Sequence, residues 1–270
     1  MSHFMPDLSS PTPRQKPLEV ARDTYVIRAL TPSVGGSWTN LNAMVIRGAE
    51  PIAVDAGMGT HRDSWFEDLF SLVDPEELRW IFLTHLDCDH SGNLVETLER
   101  CPNARVISSR GESFRVNASM GVPFERMRLL DDGEVFEIAG RKLQSLRPPV
   151  YDSPYTRGLF DHATRVYYAS DAFCAPIPGD PVDWVEEIAP DLWADGMARF
   201  HYSSLCPWVA LADRALFRAE VERLGALGLE AIVSGHSPAI RGASVGQALE
   251  LLARLPDAVP APLDFAELTG

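Results

Sequence analysis

The sequence predicts an α/β fold in which two β-sheets pack face to face and helices cover their outer surfaces. Each half of the chain begins with short apolar runs of the kind found in strands. Further runs of this kind then alternate with segments whose apolar residues have helical spacing. Because sheets and helices each bury one face, this twofold succession of strand-rich and helix-containing stretches favours two stacked sheets with helices outside.

The first half supplies strands and one clear helix. Strand-like runs occupy residues 18–30, 42–48, 51–57 and 104–109. Apolar residues at helical spacing predict a helix from His61 to Leu72. The buried run LRWIFLTH leads into a polar stretch, after which we expect Ser91 to cap a helix that extends to about Arg100.

The second half repeats the pattern. Hairpins are predicted around two turn signals, Asp132-Gly133 and Ala139-Gly140. The runs RVYYASDAF and LEAIVSGHSP indicate strands that end in polar residues. Predicted helical stretches cover residues 191–227, with a break near Pro207, and residues 244–255.

Composition limits the classes of function. We expect a flexible arm over residues 1–17, which are rich in Ser and Pro, and a single domain over residues 18–270. The net charge of -14, without long Lys or Arg runs, argues against nucleic-acid or anionic-membrane partners. No apolar segment reaches the roughly 20 residues of a membrane helix, and no secretory signal is evident, so a cytoplasmic location is expected.

Three apolar strands end in residues that bind metals. The stretch WIFLTHLDCDH places two His and two Asp in six positions just after a buried strand, and RVYYASD and LEAIVSGH end in a similar way. Functional side chains often lie beyond the carboxyl ends of strands, so these groups are expected to meet. The candidate ligands are His85, Asp87, Asp89, His90, Asp171 and His236.

The motif T-H-x-D-x-D-H-S-G, with the later Asp171 and His236, resembles the metallo-β-lactamase fold superfamily. The closer resemblance is to the diiron domain of flavodiiron proteins and to related oxygen-binding diiron proteins, which have an acidic residue at the position of Asp87. The segments YYASDAFCAP, RFHYSSLCPW and IVSGHSPAIRG are also similar to that group. The resemblance covers about residues 18 to 250 and implies a metallo-β-lactamase-like αββα sandwich.

The resemblance also implies a ligand set. Metal one takes His85 and Asp87, metal two takes Asp89, His90 and His236, and Asp171 bridges them. The family has a further His before the bridging Asp, and the matching position here is Asp152, 62 residues after His90 and 19 before Asp171. A carboxylate is therefore expected in place of an imidazole, unless His162 or His201 substitutes for it.

This donor set favours iron. Four carboxylates neutralise two divalent ions, and hard oxygen donors suit iron or manganese, with zinc as a further alternative. The resemblance implies O2 or NO as the bound gas and a homodimer as the assembly. It further implies electrons from a separate donor or reductase, because we find no room for the FMN-carrying flavodoxin domain that follows in flavodiiron proteins.

Three functions stay open at this point. The first is a diiron protein that binds or reduces O2 or NO, or uses O2 to oxidise a small molecule. The second is a binuclear hydrolase of esters, lactones, thioesters or phosphodiesters, and the third is a non-enzymatic oxygen sensor or binding subunit. Beyond the metals, no catalytic residue is predicted; the candidates for a supporting role near them are His201, Tyr202 and Tyr151.

Overall fold

The computed structural model describes residues 12–33 and 37–260. In this part of the chain two sheets face each other and helices lie on both outer sides, so the αββα prediction is confirmed. Most of the predicted arm, residues 1–11, and the last ten residues of the predicted domain lie outside the described residues. None of the described helices has the length and apolar character of a membrane span.

The first sheet contains eight strands of the described residues. They are β1 (Leu18–Ala21), β2 (Thr24–Pro32), β3 (Ser37–Ile46), β4 (Ile52–Val54), β5 (Trp80–Phe82), β6 (Arg105–Ser109), β7 (Met127–Leu130) and β12 (Ile177–Pro178). Strands β1 to β7 lie in chain order, and β12 pairs with β3. The pairs from β4 to β7 are parallel, so those four strands end at the same edge of the sheet.

The second sheet contains six strands in the described part. They are β8 (Val135–Ile138), β9 (Arg141–Leu146), β10 (Gly158–Asp161), β11 (Val166–Tyr168), β13 (Ala231–Val233) and β14 (Ile240–Arg241). Their order is β14-β13-β11-β10-β9-β8. Strands β11 and β13 are parallel and the other pairs are antiparallel, so the chain segments after β11 and β13 leave the sheet side by side.

Helices cover the outer face of each sheet. They are α1 (Arg62–Leu72), α2 (Cys88–Ser91), α3 (Leu94–Arg100), α4 (Arg110–Met120), α5 (Pro190–Phe200), α6 (Arg214–Gly225) and α7 (Ala243–Arg254). Helices α1, α3 and α4 pack on the first sheet, and α5, α6 and α7 pack on the second. A third apolar layer, which includes Met44, Phe82, Leu143 and Tyr168, fills the space between the sheets.

Several local predictions are confirmed. Helix α1 ends at Leu72 as expected, and the β8–β9 hairpin turns at Ala139 and Gly140, both with positive φ. Helix α5 ends at Phe200 and passes into a π-helical turn over His201–Leu205, so the helical stretch is broken before Pro207.

Two local predictions are wrong, and one helix was missed. Ser91 does not cap the next helix, because its hydroxyl donates to the Leu86 and Asp87 carbonyls and α3 begins only at Leu94. The Asp132-Gly133 turn joins β7 of the first sheet to β8 of the second and is not a hairpin. Helix α4 was not predicted.

Candidate metal centre

The candidate ligands converge at the edge of the sandwich where the strands end. His85, Asp87, Asp89 and His90 follow β5, Asp152 lies between β9 and β10, Asp171 follows β11, and His236 follows β13. The structure therefore brings together all seven side chains that the sequence predicted as ligands, and they form overlapping groups that could hold metal ions.

The first group consists of His85, Asp87 and Asp152. Nε2 of His85 lies 3.9 Å from Oδ2 of Asp87 and 3.7 Å from Oδ2 of Asp152. Oδ1 of Asp152 accepts hydrogen bonds from the Ser153 amide at 2.6 Å and the Thr156 hydroxyl at 3.3 Å, which leaves Oδ2 facing His85. The Asp87 side chain is 52% exposed, so this position opens to solvent.

The second group consists of Asp89, His90 and His236. Oδ2 of Asp89 lies 3.2 Å from Nε2 of His236 and 3.4 Å from Nε2 of His90. Asp171 stands between the groups, with Oδ1 2.9 Å from Nε2 of His90 and Oδ2 3.4 Å from Nε2 of His85. One carboxylate thus faces both positions, and the arrangement is a binuclear His/Asp metal site.

Unpaired buried atoms at the centre fit a metal pair. Nε2 of His85, Nε2 of His90 and Oδ1 of Asp171 are buried and form no well-aligned hydrogen bond with the described residues, although the last two atoms lie 2.9 Å apart. Buried polar atoms of native proteins are nearly always paired. Two metal ions between the groups would satisfy all three atoms, because imidazole nitrogen and carboxylate oxygen are ordinary ligands of first-row metals.

Residues 39–237 match the family model described as ODP family beta lactamase. The chain belongs to this family. Its fold is the metallo-β-lactamase fold of the diiron domain in flavodiiron proteins, so the resemblance noted in the sequence is confirmed.

The ODP-family chain is similar to several known proteins over most of its length. Type A flavoprotein fprA of Rhodobacter capsulatus is 31% identical over 189 residues, which are 62% of this chain and 40% of that protein. Rubredoxin oxygen:oxidoreductase of Desulfovibrio gigas has a TM-score of 0.78 at 15% identity, covering 90% of this chain and 62% of that one. The flavodiiron protein of Giardia intestinalis has a TM-score of 0.74 at 16% identity, covering 92% and 60%.

The matches cover most of this chain but a smaller share of each relative. The chain spans two fifths or less of the length of the first curated relatives that it matches. It matches the diiron part of the flavodiiron chains, about three fifths of each of the two solved structures named above.

In this ODP-family chain a buried carboxylate behind the metal centre was missed by the sequence reasoning. Asp55 follows β4, is fully buried and has a φ of 63°. Its Oδ2 lies 2.7 Å from Nδ1 of His90 and accepts a hydrogen bond from the Thr84 hydroxyl at 3.0 Å, and its Oδ1 accepts one from the Thr84 amide at 2.8 Å. The signal was available, because β4 also ends in a polar residue, in the run IAVDAG.

Hydrogen bonds at Nδ1 orient the imidazoles of the ODP-family site. Nδ1 of His236 lies 2.8 Å from the Asn40 carbonyl, which can only accept a hydrogen bond, so Nδ1 carries the proton and Nε2 is left for a metal. Nδ1 of His85 lies 3.1 Å from the Thr84 hydroxyl and 3.2 Å from the Ser170 hydroxyl. Backbone and hydroxyl groups therefore turn both imidazoles towards the centre.

The imidazoles of the second group hold protons firmly when no metal is bound. Burial lowers the pKa of His236, but the carboxylates of Asp171 and Asp89 raise it to about 9. Burial also lowers the pKa of His90, and the charges of Asp171 and Asp55 raise it well above its ordinary value. The two imidazolium charges offset the carboxylates, and metal ions would replace those protons.

The pKa values of two carboxylates at the centre shift in opposite directions. Burial raises the pKa of Asp89, but contact with His236 and the charge of His90 lower it to about 2. The pKa of Asp152 is instead raised, mainly by burial; His85 lowers it, and the charges of Asp171 and Asp87 add to the rise. Four carboxylates in one place need positive charge, and the first group has only one imidazole to supply it.

The predicted supporting residues take different places. His201 is fully buried in the π-helical turn, where Nδ1 donates to the Met197 carbonyl at 2.6 Å, and it belongs to none of the metal-binding groups of the described residues. The Tyr202 hydroxyl donates to the Leu255 carbonyl at 2.6 Å, away from the centre. Tyr151 directly precedes Asp152, and its ring lies 5.3 Å from the Trp208 ring.

His162 lies apart from the candidate ligands, whereas Phe200 packs beside one of them. His162, the other alternative ligand, lies in the β10–β11 turn, whereas Asp171 follows the opposite end of β11. The Phe200 ring lies 5.7 Å from the His236 ring, so the end of α5 forms an apolar wall beside the second group.

Proposed function

We propose that this chain holds two iron ions and binds or reduces O2 or NO, or uses O2 to oxidise a small molecule, with electrons from a separate donor. The observation that carries the proposal is the donor set, four carboxylates and three imidazoles around two metal positions that share Asp171. We also propose that residues 18–270 act as one domain and that the donor is a different protein or domain.

Charge balance supports iron over zinc. The three imidazoles are neutral as ligands, and the four carboxylates contribute four negative charges, which equal the charge of two divalent ions. Oxidation of both ions adds two positive charges, and an oxygen-rich shell stabilises that state better than an imidazole-rich shell. Zinc in a hydrolase needs unneutralised charge to acidify its bound water, and this shell leaves little.

The residues of the chain give each part of the site a role. Asp171 would bind both metals, since its two oxygens face different groups, and Asp55 and Asn40 keep two imidazoles turned towards the centre. The exposed side at Asp87 would give a small molecule access, and the Phe200 ring forms an apolar wall beside His236. When bound, the iron pair would supply coordination of the gas and electrons for its reduction.

The proposal is tested by metal identity and gas chemistry together. We expect about two irons per chain in protein from iron-supplemented cells, with anomalous scattering from both positions at the iron edge. Steady consumption of O2 or NO with an artificial electron donor would indicate an enzyme, whereas reversible gas binding without turnover would indicate a sensor or binding subunit.

As a surface control, Asp195→Asn breaks only an exposed ion pair with Arg199, and this variant should keep both irons. Two zinc ions at the centre under iron-replete conditions, with no gas binding or consumption, would overturn the proposal. Hydrolysis of an ester or phosphodiester panel by that zinc form would replace it with the hydrolase alternative.

A further inference from the structure

Two arginines in the loop between β9 and β10 have no acidic partner in the part of the chain that the structure describes. Arg157 is only 7% exposed, and Arg147 is half-buried. Neither guanidinium forms an ion pair with a carboxylate of the described residues. The Nε atoms of both arginines are buried and have no hydrogen-bond partner in the same part of the chain. Unpaired buried cations are costly, so this pair calls for a counter-charge.

The nearby carboxylates form no ion pair with either guanidinium group among the described residues. Oδ1 of Asp132 accepts the backbone amide of Arg147 at 2.6 Å, and Oδ2 of Asp131 pairs with Arg110 at 3.4 Å. The Asp152 carboxylate is directed to its own loop and to the metal centre. Carboxylates of the described residues therefore leave both Nε atoms without a partner.

Both guanidinium groups belong to the loop between β9 and β10. The pKa of Arg157 is lowered by burial and then by the positive charge of Arg147, against the weaker opposing charges of Asp132, Asp131 and Tyr151. One terminal nitrogen of Arg157 donates to the Thr156 carbonyl at 2.7 Å, which fixes the side chain under its own loop. Two guanidinium groups in one loop, each with a buried Nε that has no hydrogen-bond partner among the described residues, favour an anion as the missing partner.

An aromatic surface lies beside the pair. The guanidinium carbon of Arg147 lies 5.7 Å from the centre of the Tyr151 ring. The Trp208 indole packs at 5.3 Å from that ring and donates to the Tyr151 carbonyl at 3.2 Å. Trp208 is 37% exposed, so this surface reaches solvent, while Tyr151 adjoins Asp152 of the metal centre.

We propose that Arg147 and Arg157, with the Tyr151 and Trp208 rings, bind the oxyanion group of a small organic molecule beside the metal centre. The group is a carboxylate or a phosphate, since both accept the parallel N–H groups of a guanidinium. This anion site would define the substrate class of the proposed oxidation, namely small organic molecules that carry a carboxylate or a phosphate. Anion binding itself does not depend on the metal, so it can be tested whether or not the proposed function holds.

The test is isothermal titration calorimetry of the full chain, at low chloride concentration, with inorganic phosphate and separately with benzoate. We expect saturable binding of at least one probe, at one site per chain. Tighter phosphate binding would indicate a phosphate ester as the natural ligand, and tighter benzoate binding an organic carboxylate. Arg147→Met and Arg157→Met should each weaken binding about tenfold or more, the loss expected for a charge-assisted hydrogen bond.

The matched control is Arg223→Met, because Arg223 lies in an exposed ion pair with Glu220 on α6, and it should leave binding unchanged. If Arg157→Met does not fold, Arg157→Lys keeps the charge but loses the planar fork, and it should still weaken binding. The titration is repeated after metal removal with 1,10-phenanthroline, which carries no anionic group, and binding should persist.

Two results would overturn the proposal. The first is no saturable binding of either probe. The second is binding that disappears with the metals but is equal in the wild type, Arg147→Met and Arg157→Lys, since the anion would then bind the metal centre itself.

Discussion

Oδ2 of Asp55 lies 2.7 Å from Nδ1 of His90, so a fully buried carboxylate fixes the orientation of a candidate metal ligand. Outer carboxylates of this kind hold the tautomer and the ring plane, and they strengthen the ligand that faces the metal. The contact depends on the parallel pairing of β4 and β5, which brings the Asp55 amide to 2.8 Å from the Phe82 carbonyl.

Asp55→Asn should weaken metal binding at the second position about 10- to 100-fold, because the amide keeps the shape but loses the charge that supports His90. The first position should change less, since His85 lies next to Thr84 and Ser170 and not Asp55. Metal titration followed by ion analysis measures the effect.

The control for this change is Asp68→Asn, which removes a buried carboxylate paired with Arg14 far from the ligands. It should lower stability without a change in metal affinity. Equal affinities in the wild type and Asp55→Asn would show that the hydrogen bond to His90 does not matter for binding.

Metal binding should release protons and become tighter as pH rises. In the metal-free chain His236, with a pKa of about 9, and His90, whose pKa is also raised, are protonated at neutral pH. A metal needs the free Nε2 lone pair, so we expect the release of about two protons near pH 7 and a rising affinity up to about pH 9. Calorimetry in buffers of different ionisation enthalpy counts the protons. A flat affinity from about pH 6 to 9 would contradict this prediction.

Asp171→Asn should reduce metal binding at both positions, because each oxygen of Asp171 faces a different group. The loss of its charge also leaves the buried imidazolium groups with less compensation. Metal content is expected to fall from about two ions per chain to below about one.

Asp87→Asn provides the comparison, since Asp87 belongs only to the first group and is half-exposed. That variant should retain about one ion per chain, in the second position. If both variants lost the same amount of metal, Asp171 would not be the shared residue of the pair.

Much of the fold could be predicted from the sequence, because the signals for many of its elements lie in a few neighbouring residues. The Ala139-Gly140 turn, helix α1 and the polar ends of β5, β11 and β13 each follow from a few neighbouring residues. Helix α4 was missed because its apolar residues form no clear stripe, although Ser109 and Glu112 make a capping signal that the structure uses.

Other features depend on contacts that are distant in the chain. Asp55 meets His90 only once β4 and β5 pair, and the turn at Asp132 crosses between sheets because the apolar faces of both sheets must meet. Within residues 12–33 and 37–260, the lack of an ion pair at Arg147 and Arg157 is likewise a property of the folded chain, since acidic residues are near both in sequence. Local patterns carry no information on which acid a given arginine meets.

Gly92→Ala should destabilise the chain and disturb the metal centre. A Cβ atom on Gly92 would lie 2.4 Å from the Gly59 nitrogen and 2.5 Å from the Cys88 carbonyl oxygen, and backbone atoms cannot rotate away as a side chain could. The segment after His90 must therefore shift, which should lower the free energy of unfolding by about 1–3 kcal/mol. The metal affinity of the second position should fall as well.

The control is Gly246→Ala in the exposed part of α7, where an added Cβ meets no atom within 4 Å. That change should stabilise the chain by about 0.5–1 kcal/mol, because alanine loses less conformational freedom than glycine in a helix. Urea unfolding measures both variants. A Gly92→Ala protein with wild-type stability and metal affinity would show that the tight approach of the Gly57–Gly59 and Cys88–Gly92 segments is not required to hold His90 in place.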